Sequence, residues 1–401
     1  MADNVPKIRF PGFTEPWEQR KLREIFNSIN NAFVGTATPY YCDSGHFYLE
    51  SNNVKNGKIN KDSQIFINES FYQKQKDKWL KHGDIVMVQS GHVGHSAVIT
   101  EEYNNSAAHA LIMFRGPIHS IDSHFINYEF QTQTSKAKVD EIATGNTIKH
   151  ILASDMKEFL ISVPSLPEQQ QISRLFLNLD NLITLHQRKL DDLKKFKSGL
   201  LQKMFPKAGE TVPEVRFPEF TGDWEQRKLG DLIKEFSIKS KIEDEYKVLS
   251  STNSGMKFRE GRVTGTSNLG YKIIKNGDLV LSPQNLWLGN ININNIGKGL
   301  VSPSYKTFKL INIDSSFINP QLRTQKMLEE YKNSSTQGAS VVRRNLEIDS
   351  FYQIKIFVPT ISEQEKIGSF FQRLDNTIVL QHQKLAKCQS VKKSLLQQMF
   401  I

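Results

Sequence analysis

Cysteine is scarce in this sequence, whose 401 residues include only Cys42 and Cys388. Two thiols so far apart in the chain cannot form a disulfide framework or a cysteine-based zinc site, so we expect a reducing compartment, the cytoplasm. Long apolar runs are also missing. No stretch approaches the ~18 uninterrupted apolar residues of a membrane span, and the first residues lack the apolar core of a signal peptide. We therefore expect a soluble protein with no membrane association.

Motifs of common catalytic sites are absent as well. The sequence contains no G-x-x-x-x-G-K-[ST] phosphate loop, no H-E-x-x-H zinc motif and no G-x-S-x-G nucleophile turn. His92 and His95 lie close together in the chain, but no cysteine or nearby carboxylate completes a metal-binding set. The sequence therefore predicts no catalytic residue, no metal ligand and no cofactor held by this chain.

Basic residues, in contrast, are in excess. Lys and Arg number 52 against 42 for Asp and Glu, a net charge of +10 with a pI of about 9.3. This excess favours a polyanionic partner, most simply nucleic acid. The hydrophobic fraction of 38% and the charged fraction of 23% are typical of a globular protein. At ~150 residues per domain, the length predicts two or three domains.

The sequence repeats itself once. Residues 6–22 recur as residues 213–229, an offset of 207, with twelve of seventeen positions identical. Residues 163–172 recur as residues 358–367 at an offset of 195, and shorter matches follow at residues 179–181 with 374–376 and 200–205 with 395–400. The segments between these matches, roughly 23–160 and 230–355, diverge. Two long copies are too few for a solenoid, so the pattern predicts two similar frames around two different variable segments.

The second repeated segment predicts a long helix in each copy. Apolar residues recur mostly at three- and four-residue steps, as in a coiled coil. They are Ile172, Leu175, Leu179, Leu182, Leu190, Leu193, Leu200 and Met204, then Ile367, Phe370, Leu374, Ile378, Leu385, Val391, Leu395 and Met399. Ser165 and Ser362 are placed to cap the helices, and Pro167 suits a first turn. About 38 helical residues would span roughly 57 Å.

Neither apolar stripe can stay exposed. We expect the two helices to pack on each other, antiparallel across a pseudo-two-fold axis. The alternative is that each helix lies on its own domain. The opposite faces are basic, which suits either a solvated surface or an approach to DNA phosphates. Their basic residues are Arg188, Lys189, Lys194, Lys195, Lys197, Lys384, Lys387, Lys392 and Lys393.

The variable segments predict an α+β fold. Short apolar runs alternate with Gly, Asn and Ser turns, and the pattern gives little sign of β-α-β crossovers. We expect strands at residues 84–89, 97–100 and 110–115 and, in the second copy, at 278–282, 290–293 and 305–310. A helix should follow each set, near residues 123–133 and 319–333.

Polar loops at equivalent places in the two segments carry side chains suited to DNA. Gln and Asn match adenine edges, Arg and Lys match guanine, and hydroxyls suit bases or phosphates. For any one of these residues a turn-forming role is the alternative. The candidates are Gln89, Ser90, His92, His95, Asn146, Thr147 and Lys149 in the first segment, and Gln284, Asn285, Trp287, Ser340, Arg343 and Arg344 in the second. Equivalent loops with different residues are what two sequence-reading domains of different specificity would need.

Together these repeats resemble the specificity subunit of a Type I restriction–modification enzyme over residues 6–401. The resemblance is carried by Phe-Thr-x-x-Trp-Glu-Gln-Arg-Lys-Leu at 13–22 and 220–229, and by Val-Pro-x-x-x-Glu-Gln-x-x-Ile at 163–172 and 358–367. The Leu-Asp-Asn and Leu-Leu-Gln-x-Met-Phe segments add to it. It implies two target recognition domains, residues 1–162 and 207–357, and two conserved spacer helices, 163–206 and 358–401.

The resemblance also implies function and partners. Each domain would read one half of a bipartite site in double-stranded DNA, and the helices would set the gap between the halves. Two modification subunits would bring S-adenosylmethionine and methylate adenine N6, and motor-nuclease restriction subunits would use ATP and Mg²⁺. Two other functions remain open from the residues alone: a stand-alone DNA-binding regulator and a coiled-coil adaptor between proteins.

Overall fold

The structure is a computed structural model that describes residues 5–207, 209–259, 267–340 and 343–401, with residues 338–340 and 343 described by their backbone alone. The chain divides into two compact units. Unit 1 comprises Met1–His186 and Lys384–Ile401, and unit 2 comprises Gln187–Gln383. Within the described residues, no helix has the length and apolar character that crossing a bilayer requires.

Unit 1 is built from short strands and helices, and its last helix continues into unit 2. The strands are β1 (Glu18–Lys21), β2 (Phe26–Asn31), β3 (Tyr41–Cys42), β4 (His46–Leu49), β5 (Val54–Lys55), β6 (Lys58–Ile59), β7 (Phe66–Ile67), β8 (Ile85–Val88), β9 (Ser96–Val98), β10 (Ala107–Ala108), β11 (Leu111–Pro117) and β12 (Leu160–Val163). The helices are α1 (Leu22–Ile25), α2 (Glu69–Lys74), α3 (Ser123–Glu129), α4 (Gln133–Ile142), α5 (Ala153–Glu158) and α6 (Leu166–Lys203).

Unit 2 follows the same plan. Its strands are β13 (Glu225–Lys228), β14 (Ile233–Phe236), β15 (Leu249–Thr252), β16 (Gly255–Phe258), β17 (Lys272–Ile274), β18 (Leu279–Leu281), β19 (Ile291–Ile293), β20 (Gly299–Val301), β21 (Lys306–Leu310), β22 (Ser335–Ser340), β23 (Arg343–Leu346) and β24 (Lys355–Val358). Its helices are α7 (Leu229–Leu232), α8 (Ser315–Gln321), α9 (Gln325–Asn333), α10 (Ile348–Gln353) and α11 (Ile361–Gln398), the last of which continues into unit 1.

Each unit has a four-stranded antiparallel sheet at its centre. The strand order is β2-β11-β8-β9 in unit 1 and β14-β21-β18-β19 in unit 2, so the two sheets are equivalent. The six strands expected from the apolar runs correspond to β8, β9 and β11 and to β18, β19 and β21. The units differ beside this sheet. Unit 1 has a second four-stranded sheet, β10-β4-β7-β3, where unit 2 has the hairpin β15-β16 and the pair β17-β20.

Where one helix was expected after each set of strands, the structure has two. The side chains of Thr132 and Thr324 accept hydrogen bonds from the backbone N–H groups of Ser135 and Met327. Such N-caps begin a new helix, so α4 follows α3 and α9 follows α8. The expectation of a single helix was therefore wrong in both units for the same reason. The mixed α+β class is confirmed.

The repeated segments contribute to the core of each unit. Trp17 packs edge-on against Phe125 and Phe400, with ring centroids 5.6 and 6.2 Å away. Trp224 lies in the same way against Phe317 and Phe205, at 5.7 and 6.2 Å. The ends of the two long helices, Leu-Leu-Gln-x-Met-Phe in the sequence, therefore close the cores of the two units.

The long helices run antiparallel within each unit. In unit 1, Phe176 of α6 lies near Phe400, just past the end of α11, while Asp180 of α6 pairs with Lys392. In unit 2, Phe205, just past the end of α6, lies near Phe371 of α11, while Lys197 pairs with Asp375. Both unit cores also contain residues of these helices, so the helices pack on each other and on the domains.

Some details of the helix prediction were wrong. Leu182 and Val391 belong to the expected apolar stripes, yet they are 45% and 39% exposed. Ser362 was expected as a cap, but α11 begins at Ile361, so Ser362 lies inside the first turn. Phe176 and Phe371, which the stripes omitted, are buried. Lys197 and Lys392 were expected on basic faces that are solvated or approach DNA phosphates, but both pair with aspartates of the opposing helix.

Candidate nucleic-acid interface

The repeated residues build a junction between each domain and its helix. Arg9 donates to both carboxylate oxygens of Glu168, at 2.7 and 2.8 Å, and the Glu168 side chain is fully buried. Arg216 donates to both oxygens of Glu363, at 2.7 Å each. These bidentate pairs satisfy a carboxylate that would otherwise be buried alone at the start of a helix.

The next residue of the repeated motif completes this junction. Gln169 donates to the Pro164 carbonyl at 2.8 Å and accepts from the backbone N–H of Asp122 at 2.9 Å. Gln364 makes the equivalent bonds to Pro359 and Asp314 at 2.8 Å each. The repeated Glu-Gln pair thus joins the long helix to the start of α3 or α8. The repeated Glu-Gln motifs therefore have a structural role at this junction.

Two candidate loops of unit 1 lie side by side. The N–H of Gly91 donates to the Lys149 carbonyl at 3.0 Å, and the N–H of Ile151 donates to the Gln89 carbonyl at 2.9 Å. Thr144 and His150 also exchange two backbone hydrogen bonds, which closes the second loop as a hairpin. Residues more than fifty positions apart in the sequence are thereby held on one surface by the backbone.

The side chains of these loops differ in availability. His92, Asn146 and Thr147 are exposed, while Ser90 is half-buried. Lys149 is exposed but pairs with Asp140 at 2.7 Å. We infer that His92, Asn146 and Thr147 are best placed to contact a large ligand.

Two candidate residues of unit 1 point away from open solvent. His95 is half-buried, and burial, together with the positive charges of its neighbours, lowers its pKa. The buried Oε1 of Gln89 has no hydrogen-bond partner among the described residues. The rings of His92 and His95 are 6.1 Å apart, and the described part of the chain contains no group of three His, Cys, Asp or Glu residues arranged to hold a metal ion.

The equivalent loops of unit 2 also meet. The N–H of Arg344, on β23, donates to the Gln284 carbonyl at 3.4 Å. Gln284 is exposed and Asn285 is half-buried. Trp287 packs against the core of unit 2, and Arg344 donates to the carbonyls of Lys332 and Ser335 at 3.3 and 2.9 Å. These contacts favour a structural role for Trp287 and Arg344.

Two further candidates lie in the hairpin β22–β23. Ser340 and Arg343 are paired across its strands. Their side chains lie outside the described residues, so their part in the surface stays a prediction.

The basic residues that sequence reasoning missed lie next to the loops of unit 1. Lys58 and Lys136 line a pocket with Lys392 and Lys393 of α11. Sequence reasoning named the two helix lysines only as part of a basic face, and it did not single out Lys58 or Lys136. These residues could have been found only from the spatial proximity of three chain segments, which a single sequence does not reveal.

The fold and the loops define a class of protein: a duplicated α+β protein whose two units present paired variable loops on a common frame of long helices. Two stretches of the chain, residues 14–195 and 221–389, match the family model of the Type I restriction modification DNA specificity domain. These matches cover most of the chain. The protein belongs to this family.

Similar proteins agree with this assignment. The Type I restriction enzyme MjaVIII specificity subunit of Methanocaldococcus jannaschii is 21% identical over 409 residues, covering 95% of this chain and 91% of the relative. A second protein of that organism, provisionally named as the MjaX specificity subunit, is 23% identical and covers 98% and 95%.

Solved structures show the same fold. The S subunit of a Type I restriction-modification system from M. genitalium superposes with a TM-score of 0.63 at 16% identity, covering 99% of both chains. A chain from a structural study of the assembly and conformational transition of a type I R-M system has a TM-score of 0.52 at 14% identity, covering 97% of this chain and 98% of that one.

Proposed function

We propose that this chain is the DNA-recognition subunit of a Type I restriction–modification complex and that each unit reads one half of a bipartite target. The observation that carries the proposal is the pairing of variable loops at the same place on two equivalent frames. Two backbone hydrogen bonds join residues 89–91 to residues 149–151 in unit 1, and one joins Arg344 to Gln284 in unit 2. A fold that is repeated in both units, with different residues in the loops, suits two domains that recognise different DNA sequences.

Binding would begin with the phosphates. The net charge of +10 favours association with DNA of any sequence, and this association weakens as salt increases. Exposed loop residues such as His92, Asn146 and Gln284 would then discriminate at ~1–3 kcal/mol per base pair. The helices α6 and α11, which contribute to the cores of both units, would fix the gap between the two half-sites.

The chemistry would belong to partner subunits. We assign no catalytic residue, metal ligand or cofactor to this chain. Two modification subunits would bring S-adenosylmethionine and transfer its methyl group to adenine N6, and restriction subunits would use ATP and Mg²⁺. The repeated helical frame supports a scaffold with two equivalent docking positions. The proposed place of action is the cytoplasm.

The experiment is a map of methylated adenines in the DNA of cells that express this chain with its modification subunit. We expect methylation at a two-part motif with a fixed gap, and none when either protein is omitted. Methylation at a motif that does not depend on this chain would contradict the proposal. A stand-alone regulator would instead bind its duplex without a partner, and an adaptor would show no salt-dependent affinity for DNA.

Loop variants make this map specific for each unit. Asn146→Ala with Thr147→Ala in unit 1 should relax one half of the methylated motif and leave the other unchanged. Gln284→Ala in unit 2 is the matched variant and should affect the opposite half. If both variants change the same half, or both halves together, the assignment of one half-site to each unit is wrong.

A further inference from the structure

Unit 1 contains a pocket beside the candidate reading loop 89–95, and the exposed His92 of that loop does not line it. Its volume is about 630 Å³, and it lies between the loop at 93–96, helix α4 and the parts of α6 and α11 that belong to unit 1. Four lysines line it: Lys58, Lys136, Lys392 and Lys393. So many ammonium groups around one cavity repel each other unless anions lie between them.

The described side chains supply few such anions. Asp180 pairs with Lys392 at 2.7 Å, and its second oxygen accepts from the Tyr128 hydroxyl at 2.8 Å. The other carboxylate of the lining, Asp140, pairs with Lys149 outside the pocket. The charge of Lys392 is therefore compensated within the pocket.

The remaining lysines lack a carboxylate partner. Lys58 donates to uncharged oxygens, the Asp180 carbonyl at 3.4 Å and the Thr184 hydroxyl at 3.2 Å. Within the described ranges, neither Lys136 nor Lys393 forms an ion pair. Burial, and then the charge of Lys392, lower the pKa of Lys136. Three of the four ammonium groups are thus available to a bound anion.

Most of the remaining lining is apolar or carries amides, and His95, Ser96 and Thr184 add an imidazole and two hydroxyls. The walls contain aliphatic and aromatic carbon on several sides, and amide groups that can donate and accept hydrogen bonds lie between them. The apolar residues are Val93, Phe130, Val139, Ile183 and Leu396, and the amides are Asn56, Gln131, Gln133, Gln389 and Gln397. Apolar walls suit the flat face of a nucleobase, amides suit its edges and lysines suit phosphate.

One lysine of the cluster has no lysine equivalent in unit 2. Thr132 and Thr324 cap α4 and α9, so the two helices align from their first residues. By that alignment Leu328 takes the place of Lys136. Lys136 is therefore specific to unit 1 and is not required by the fold that the two units share.

We propose that the unit 1 pocket binds a phosphorylated nucleotide, with Lys58, Lys136 and Lys393 on the phosphate and the apolar walls around the base. Two sources have this chemistry: a free nucleotide, and a nucleotide of the DNA strand that flanks the region read by unit 1. The free-nucleotide source does not depend on the proposed function. A DNA nucleotide in the pocket would be part of DNA recognition by unit 1, so this source rests on the proposed function.

The test uses the full-length chain and two probes. The first is adenosine or thymidine monophosphate, titrated by calorimetry, and the second is a short labelled duplex, followed by fluorescence anisotropy at several salt concentrations. The pocket variant carries Lys136→Met and Lys393→Met. The control variant carries Lys76→Met and Lys157→Met, which remove two exposed lysines outside the pocket lining.

A free-nucleotide site predicts one saturable monophosphate-binding event per chain that the pocket variant weakens at least tenfold and the control leaves unchanged. A DNA source predicts no monophosphate binding, but a duplex affinity whose log–log salt slope falls by roughly 1.8 in the pocket variant and less in the control. If neither probe distinguishes the pocket variant from the control, the pocket proposal is wrong. Specific methylation by all variants would leave the proposed function standing in that case.

Discussion

At the end of α3, Glu129 is a fully buried carboxyl group with few partners. Its Oε1 accepts from the Ser135 hydroxyl at 3.0 Å, while its Oε2 has no hydrogen-bond partner among the described residues. Burial raises its pKa to about 7. Unit 2 has Gln321 at the equivalent position, and its amide donates to the Phe357 carbonyl at 3.2 Å. A neutral acid at position 129 could donate in the same way.

We predict that Glu129→Gln stabilises unit 1 in a pH-dependent manner. Because the folded pKa is raised above ~4.5, protonation of Glu129 favours the folded state, and this contribution is lost as pH increases through about 7. The variant should unfold at similar denaturant concentrations to the natural chain near pH 5 and be more stable by roughly 3 kcal/mol near pH 8. Urea unfolding at both pH values measures this difference.

The Ser135→Ala variant serves as a control, since it removes a hydrogen bond without removing the titratable group. It should shift stability in one direction at both pH values. A Glu129→Gln effect that is equal at pH 5 and pH 8 would show that the carboxyl does not titrate in this range.

The exposure of the candidate residues could not be predicted from the sequence. The candidate loops were predicted at equivalent positions of the two units, yet the sequence could not tell exposed Asn146 from Trp287, which packs against the core. Glu129 carries no sequence signal, because an isolated glutamate is normally on the surface. Which side chains actually touch DNA stays a prediction.

Between the long helices, the same ion pair occurs in two environments. Asp180 with Lys392 and Asp375 with Lys197 are equivalent at the repeat offset of 195. The Asp180 side chain is 9% exposed and the Asp375 side chain 49%. Breaking a buried pair leaves an uncompensated charge, whereas an exposed charge is solvated by water.

We predict unequal effects of Lys392→Met and Lys197→Met. The first should destabilise the helix contact in unit 1 by about 3 kcal/mol, since among the described side chains Asp180 then keeps only the Tyr128 hydroxyl as a partner. The second should cost less than about 1 kcal/mol. Amide hydrogen exchange of α6 and α11, measured separately in the residues of each unit, reports the local stability.

The second variant is the matched control for the first. Equal losses of protection in the two units would contradict the importance of burial. A loss in unit 1 that Asp180→Asn relieves in the Lys392→Met background would confirm that the unpaired carboxylate causes the instability.

Elements were predicted well where periodicity and repetition were strong. The two long helices followed from apolar steps of three and four residues, and six strands of the central sheets followed from short apolar runs. Features that depend on distant partners were missed. Glu168 is buried because Arg9, 159 residues away, lies against it, and Leu182 is exposed although it continues an apolar stripe.

For the molecule as a whole, the duplication of the sequence predicted more of the architecture than the composition did. The net charge of +10 predicted only a polyanionic partner. The repeats predicted that the chain contains two equivalent units. The pocket of unit 1 could not have been predicted, because its lysines come from segments far apart in the sequence. The repeated segments could be recognised in the sequence, whereas the differences between the two units could be found only in the structure.

The most direct test of the account is the methylation map of a chain in which both long helices are lengthened by one heptad, after His186 and after Gln383. Seven residues add ~10.5 Å and nearly preserve the packing face. We predict the same two half-sites with a gap wider by roughly three base pairs of 3.4 Å each. Methylation of the original motif with its original gap would contradict the claim that two independent readers are spaced by the helices.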